Sequence, residues 1–302
     1  MPASLLLDLI GRRQPGGLGR AFLLDGAFGT EAMRRGLPQS YCPELWNVEN
    51  PDAVRDIHRS YFAAGSNAVS TNSFGGSRIK LASHGLESRC AELNAAAAAL
   101  AVAVKPPGTF VGGDIGPTGK FLKPQGEYSE AQFEESFAVQ ARALVSSGVD
   151  FLLIETMFDL REALCAVRAA RSVGEVPVFA TMTFNKTPRG FFTLMGDSAA
   201  KCVAAFESLD LPAFGANCTL TISDLADCIR EMRKHTARPL IAQPNAGKPE
   251  LNRAAEVVYS QGIEEFVADV PKLLDSGASL IGGCCGTNPE YIRRAAAVLH
   301  RP

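Results

Sequence analysis

Short apolar runs punctuate this chain at regular intervals. There are eight: AFLLD (21–25), NAVST (67–71), TFVGGD (109–114), DFLLIE (150–155), PVFATMTF (177–184), AFGANC (213–218), PLIAQ (239–243) and SLIGG (279–283). Each is of strand length, and a longer stretch with helical periodicity follows nearly every one. The joins repeat as well. AAGSNAVS, SSGVDFLL and DSGASLIG each show a helix end, a glycine (Gly65, Gly148, Gly277), two residues and then a strand-like run, and glycine is the expected residue just past a helix. Helix starts are marked by Asn50 before Pro51 and by Ser129 with Gln132 before FEESFAVQARALV, an N-cap followed by proline and a capping box. Strands alternating with helices predict a parallel sheet. Eight such units in one chain predict a single-domain α/β fold, a (β/α)8 TIM barrel over 1–302, with 1–20 as an N-terminal lead-in. An open sheet of seven units is the structural alternative.

A barrel of this kind carries its active site at the C-terminal ends of its strands. Those ends hold Asp25-Gly26, Thr71-Asn72, Asp114, Glu155, Thr183, Asn217-Cys218, Gln243 followed by Asn245, and Cys284-Cys285. Apolar strands thus end in a polar ring, and three of its members are thiols. The other five cysteines (42, 90, 165, 202, 228) fall on helices or outer loops, and none of the four histidines falls at a strand end.

Composition narrows the reading. The 302 residues are 46% hydrophobic and 21% charged, enough for a large core, and the net charge of −2 favours neither a nucleic-acid nor an anionic-membrane partner. The start lacks the basic segment and cleavage site of a secretory signal, and no stretch approaches a membrane span. Eight cysteines in such a chain read as mostly reduced thiols of a cytoplasmic protein.

Adjacent residues of a regular strand face opposite ways, so Cys284 and Cys285 can share a site only if the strand ends and the backbone turns, which Gly283 and Gly286 permit. Two incidental core cysteines, a vicinal disulfide and three buried structural thiols all remain open on spacing alone. The barrel brings the ends of strands six and eight together, and three converging thiolates suit a tetrahedral zinc with its fourth position open. Such a site can hold a substrate thiol as thiolate for alkylation. Water activation is the competing use.

GANC (215–218) with GGCCGTNPE (282–290) resembles the zinc signature of the homocysteine S-methyltransferase family. LLDGAFGTEAMRRG (23–36), STNSFGGSRIKL (70–81), GDIGPTG (113–119), IET (154–156) and QPNAG (243–247) match that family in order. Within it, the chain is most similar to the homocysteine-binding module of cobalamin-dependent methionine synthase and its free-standing bacterial relatives. The resemblance implies a methyltransferase that converts homocysteine to methionine. It implies Cys218, Cys284 and Cys285 as zinc ligands, Asn245 as an exchangeable fourth ligand, Gly26 and Ala27 amides for the substrate carboxylate, and Glu155 with Asp25 for its ammonium. It also implies a methyl-corrinoid (methylcobalamin) donor held on another protein or module. A corrinoid cannot enter a barrel filled with side chains, so it is expected to dock over the rim near 72–78, 117–127 and 185–196. Two segments depart from the pattern: TLTISDL after GANC, where the family has a Gly-Pro step, and the longer TFNKTPRGFFTLMGDS (183–198). Betaine or S-methylmethionine as donor, another thiol or selenol as acceptor, and a non-enzymatic zinc-holding docking subunit are the alternatives.

Overall fold

The computed structural model describes residues 3–11, 21–251 and 257–299. Eight strands form one sheet: β1 (Phe22–Leu23), β2 (Ala68–Ser70), β3 (Phe110–Ile115), β4 (Phe151–Met157), β5 (Val178–Met182), β6 (Phe214–Asn217), β7 (Leu240–Gln243) and β8 (Ala278–Ile281). All neighbours are parallel, in the order β1-β8-β7-β6-β5-β4-β3-β2. Helices separate successive strands and wrap the outside, giving the (β/α)8 TIM barrel. Among the described residues no helix is long and apolar enough to cross a membrane.

The two ends of the sheet, β1 and β2, meet without a regular ladder. Asn67 bridges them: its N–H donates to the Leu23 carbonyl (2.7 Å), and its side-chain oxygen accepts from the Leu23 N–H (2.8 Å). Higher on the same seam, the Asp25 carboxylate accepts from the Ser70 N–H at 2.8 Å. Side chains thus replace ladder bonds there, which is why β1 and β2 are shorter than the apolar runs 21–25 and 67–71 that encode them.

The period of two along each strand sorts side chains between two cores. Outward positions pack against the helices. Inward positions of the lower barrel form a separate cluster that includes Phe22, Phe110, Phe151, Phe179 and Leu280. The Phe151 and Phe179 rings lie 4.9 Å apart, and Gly112 makes room, since a Cβ there would sit 2.6 Å from the Phe151 ring. Each such buried phenylalanine contributes roughly 1.5–3 kcal/mol. The lead-in supplies the stopper: helix Ala3–Gly11 puts Leu6 and Ile10 into this same cluster. Residues 12–20 lie outside the described residues.

The punctuation reads well, with exceptions. Gly65, Gly148 and Gly277 all take left-handed backbone, at φ 104°, 91° and 96°. Ser129 and Gln132 form the reciprocal capping box. Asn50 does not cap with its side chain, although Pro51 opens the helix as expected. The run 177–184 stops being strand at Met182. The chain then makes a hairpin, Asn185–Thr187 against Gly190–Phe192, which accounts for the length of this segment.

Candidate metal and thiol site

Above the apolar layers the inward positions turn polar. On β4 the series Phe151, Leu153, Glu155 passes from core to cavity. A register shift between Ile154 and Met157 and left-handed backbone at Thr156 (φ 59°) interrupt the strand at this point. Such bulges re-aim side chains beside active sites. Asn217, at the end of β6, locks the bend. Its Oδ1 accepts from the Thr156 N–H (3.0 Å) and from Thr181 Oγ1 (2.9 Å), and its Nδ2 donates to Thr156 Oγ1 (2.7 Å).

The next residue is Cys218. It and Thr219 both take left-handed backbone, at φ 61° and 48°. Non-glycine residues pay on the order of 1 kcal/mol each for this, and local bonds hold them there: the Cys218 N–H donates to the Gln243 carbonyl, and Thr219 Oγ1 donates to the Phe184 carbonyl. The strand end thereby aims one thiol at the loop after β8. That loop leaves the sheet at Ile281 and turns through Gly286 (φ 83°), so both adjacent cysteines face one point. The Cys284 N–H donates to the Pro244 carbonyl, the Cys285 carbonyl accepts from Ala246, and Thr287 Oγ1 donates to the Cys284 carbonyl at 2.7 Å.

The result is a sulfur triangle. Cys218 Sγ lies 3.9 Å from Cys285 Sγ, which lies 4.0 Å from Cys284 Sγ. All three sulfurs fall within 4.8 Å of one another, and all three are free thiols. A tetrahedral ion with Zn–S bonds near 2.3 Å sets its sulfurs about 3.8 Å apart, so the triangle fits zinc. The electrostatics agree. Within the cluster, hydrogen bonds from Cys218 and Cys284 lower the Cys285 thiol, while its two sulfur neighbours and burial hold Cys284 well above its usual range. A cation is what lets the remaining thiols ionise. Asn245 lies on the chain segment hydrogen-bonded to this loop, and its buried Oδ1 has no hydrogen-bond partner.

Cys165, with Glu130 and Glu134, is the other close group among the described residues. Arginine already occupies it. Arg168 donates to Glu134 (2.6 Å), Glu130 (3.0 Å) and Cys165 Sγ (3.3 Å), and Arg161 reaches Glu130. Burial pushes the thiols of Cys42, Cys165 and Cys202 up to about 12, so these remain packing residues.

The sulfurs open into a cavity of about 400 Å³. Asp114 and Glu155 form its acidic wall; Phe28, Met33 and Phe74 form its apolar wall. Asp25 is 2% exposed and is pushed up to about 7 by burial, against the bonds it accepts from Ser70. Glu155 is pushed up to about 8, by burial first and then by Asp25. A larger hollow, about 490 Å³, lies by Thr221, Ser223, Glu265 and Asp269. No thiol lines it.

The turn at Gly26 and Ala27 is tightly built. A Cβ at Gly26 would lie 2.6 Å from Thr287 Oγ1, and the Ala27 N–H donates to that same oxygen at 3.1 Å. Thr287 therefore ties this turn to the cysteine loop and already occupies one of the two amides expected to face a carboxylate. Thr287 and Tyr259 are site residues that strand ends do not reveal. Tyr259 lies on a strand pair (Pro249–Leu251 with Val257–Tyr259), packs its ring against Gly286 and lines the cavity beside Cys284 and Cys285. His84 reaches the cavity from an outer loop, and His58 is buried with neither ring nitrogen bonded.

A family model described as homocysteine S-methyltransferase matches residues 22–299. The chain belongs to this family. It is 31% identical to methionine synthase of Mycobacterium tuberculosis (strain ATCC 25618 / H37Rv) over 97% of this chain and 25% of that protein, so it spans a quarter of that relative's length. It is 30% identical to homocysteine S-methyltransferase YbgG of Bacillus subtilis (strain 168), over 91% of this chain and 93% of that protein. The structure of homocysteine methyltransferase MmuM from Escherichia coli in its metallated form shares the fold, with a TM-score of 0.77, 24% identity, and 93% and 97% of the two chains covered.

Proposed function

We propose that this chain methylates the thiol of homocysteine to form methionine, using a zinc ion held by Cys218, Cys284 and Cys285. The observation that carries this reading is one cavity bounded by a sulfur triangle of zinc spacing and by buried acids. Zinc bound there would keep an added thiol ionised at neutral pH. The chain's own residues bind and orient. Asp25 and Glu155 take the substrate ammonium. The Gly26 end of its turn is left to meet the carboxylate, because Thr287 holds the Ala27 amide. Asn245 Oδ1 would offer a bound zinc an exchangeable oxygen. The substrate sulfur, its proton lost to solvent, attacks the donor's methyl carbon in line. The S–C bond forms as the bond from that carbon to the donor breaks, the electron pair leaving with the donor, and Phe28 and Phe74 line the path.

The donor we infer is a methyl-corrinoid on a separate protein or module. A corrinoid is too wide for the filled barrel and would lie across its rim. Phe74 (38% exposed), Phe121 (39%) and Leu194 (63%) offer apolar contacts in the three loops expected to receive it, and the methionine synthase relation supports the same donor. A small onium donor, betaine or S-methylmethionine, is the second reading, favoured by the near-full-length match to YbgG. A donor panel separates them: with homocysteine and zinc-loaded protein, methylcobalamin is expected to yield methionine, read by mass spectrometry. Turnover with betaine or S-methylmethionine but not with methylcobalamin would replace the donor and leave the sulfur chemistry intact.

The acids make substrate choice depend on pH. Burial raises both Asp25 and Glu155, so below pH 7 they are largely neutral and attract an ammonium weakly. Entry of the ammonium favours their charged forms and releases protons, so binding strengthens as pH rises through 7 to 8. The kcat/KM ratio for homocysteine over 4-mercaptobutanoate, which lacks the amino group, is expected to rise roughly tenfold from pH 6 to pH 8. A flat ratio would mean that these acids do not meet the ammonium.

A further inference from the structure

On β3 the period of two places Phe110, Gly112 and Asp114 on the barrel side. Phe110 lies in the interior cluster and Gly112 faces the Phe151 ring. Asp114 comes next along that line, where the interior opens into the thiol cavity, and it forms part of the cavity wall. Its backbone is fully engaged. The N–H donates to Thr71 Oγ1 at 3.0 Å, and the carbonyl accepts from Ser73 Oγ at 2.7 Å and Gln140 Nε2 at 3.3 Å. These bonds fix the loop after β2 whatever side chain stands at position 114.

The carboxylate is a different matter. Asp114 is 5% exposed, and its Oδ1 is buried with no hydrogen-bond partner. The charged groups acting on it are Glu155, Asp25 and Glu44, all acidic, and with burial they push its pKa well up. Two of the neighbouring acids are better satisfied: Asp25 accepts from Ser70, and Glu44 accepts from the Gly75 N–H at 2.6 Å. A buried carboxyl with an orphaned oxygen and acidic neighbours costs stability unless a cation arrives. An alkylammonium offers three N–H donors in different directions, which suits Asp114 and Glu155 on one wall with Asp25 close to them.

We propose that Asp114 belongs to the ammonium receptor together with Asp25 and Glu155, and that it selects thiols bearing an α-amino group over thiols without one. This rests on the homocysteine reading above.

The test compares Asp114→Asn with wild type on two thiols. With homocysteine, kcat/KM is expected to fall roughly 10- to 100-fold, the loss of one charge-assisted contact. With 4-mercaptobutanoate it is expected to stay within about threefold, with zinc content and Tm about unchanged, because asparagine keeps the shape of a carboxyl that is held largely neutral in the empty cavity. Calorimetry with methionine, which keeps the ammonium but has no thiol, is expected to show the same fold-weakening in the variant. Asp114→Glu, which retains the charge, is expected to retain the preference. Equal losses on both thiols, or no loss on either, overturn the assignment, as does loss of the preference in Asp114→Glu. A wild-type chain that turns over neither thiol and does not bind methionine overturns the functional reading itself, and this assignment with it.

Discussion

Cys284→Ala is expected to leave a folded barrel that holds almost no zinc and transfers methyl groups at least about 10³-fold more slowly. An open site has three protein ligands, and two thiolates cannot hold the ion against water. The fold is spared because the bonds that shape the loop are backbone bonds: Cys284 N–H to Pro244 and Cys284 carbonyl to Thr287, neither of which needs the sulfur. The expected stability loss is about 1 kcal/mol, that of trimming a small side chain at a cavity edge. Cys202→Ala is the control. It removes an equally free thiol from the buried helix layer and is expected to cost stability while leaving zinc alone. Metal analysis decides the matter. Full zinc in both Cys218→Ala and Cys284→Ala would rule out the triangle as the metal site. Mild oxidation is expected to mimic the loss, since a disulfide between any two of these sulfurs removes two ligands at once.

Glu155→Gln is expected to raise the KM for homocysteine roughly 10- to 100-fold with zinc content unchanged. The substitution keeps shape and hydrogen-bonding atoms but removes the charge that meets an ammonium, a contact of about 1.5–3 kcal/mol. Position 155 tolerates the exchange because Asn217 fixes the surrounding bulge through Thr156, not through the glutamate. Asp25→Asn would be a less clean probe, because that carboxylate also accepts from Ser70. Steady-state kinetics with homocysteine as the varied substrate checks the outcome. An unchanged KM would make Glu155 a structural acid of the barrel mouth.

Much of this was legible in the chain because strands in a barrel are written simply. Phe151, Leu153 and Glu155 alternate with outward residues, so the point where the interior turns polar can be read directly. The same logic located Asp114, Cys218 and Gln243. What it could not supply was written in contacts between distant segments. Strand β1 shortened to Phe22–Leu23 because Asn67 and Ser70 took over its bonds. Asn50 looked like a cap, yet its side chain makes no capping bond. Tyr259 approaches the sulfurs from a strand pair that no periodicity ties to a strand end. The left-handed backbone at Cys218 and Thr219 carries no glycine to announce it, being imposed by Gln243 and Phe184 from outside. The pairing of Ala27 with Thr287 joins residues 260 positions apart.

The Asp25 carboxylate holds the Ser70 amide across the one junction where the sheet has no ladder. It also stands among the acids expected to grip the amino acid. A guest whose ammonium fixes Asp25 in its ionised form is therefore expected to strengthen the bond from the Ser70 N–H and draw the seam tighter, so that one carboxylate serves both recognition and the closing of the wall.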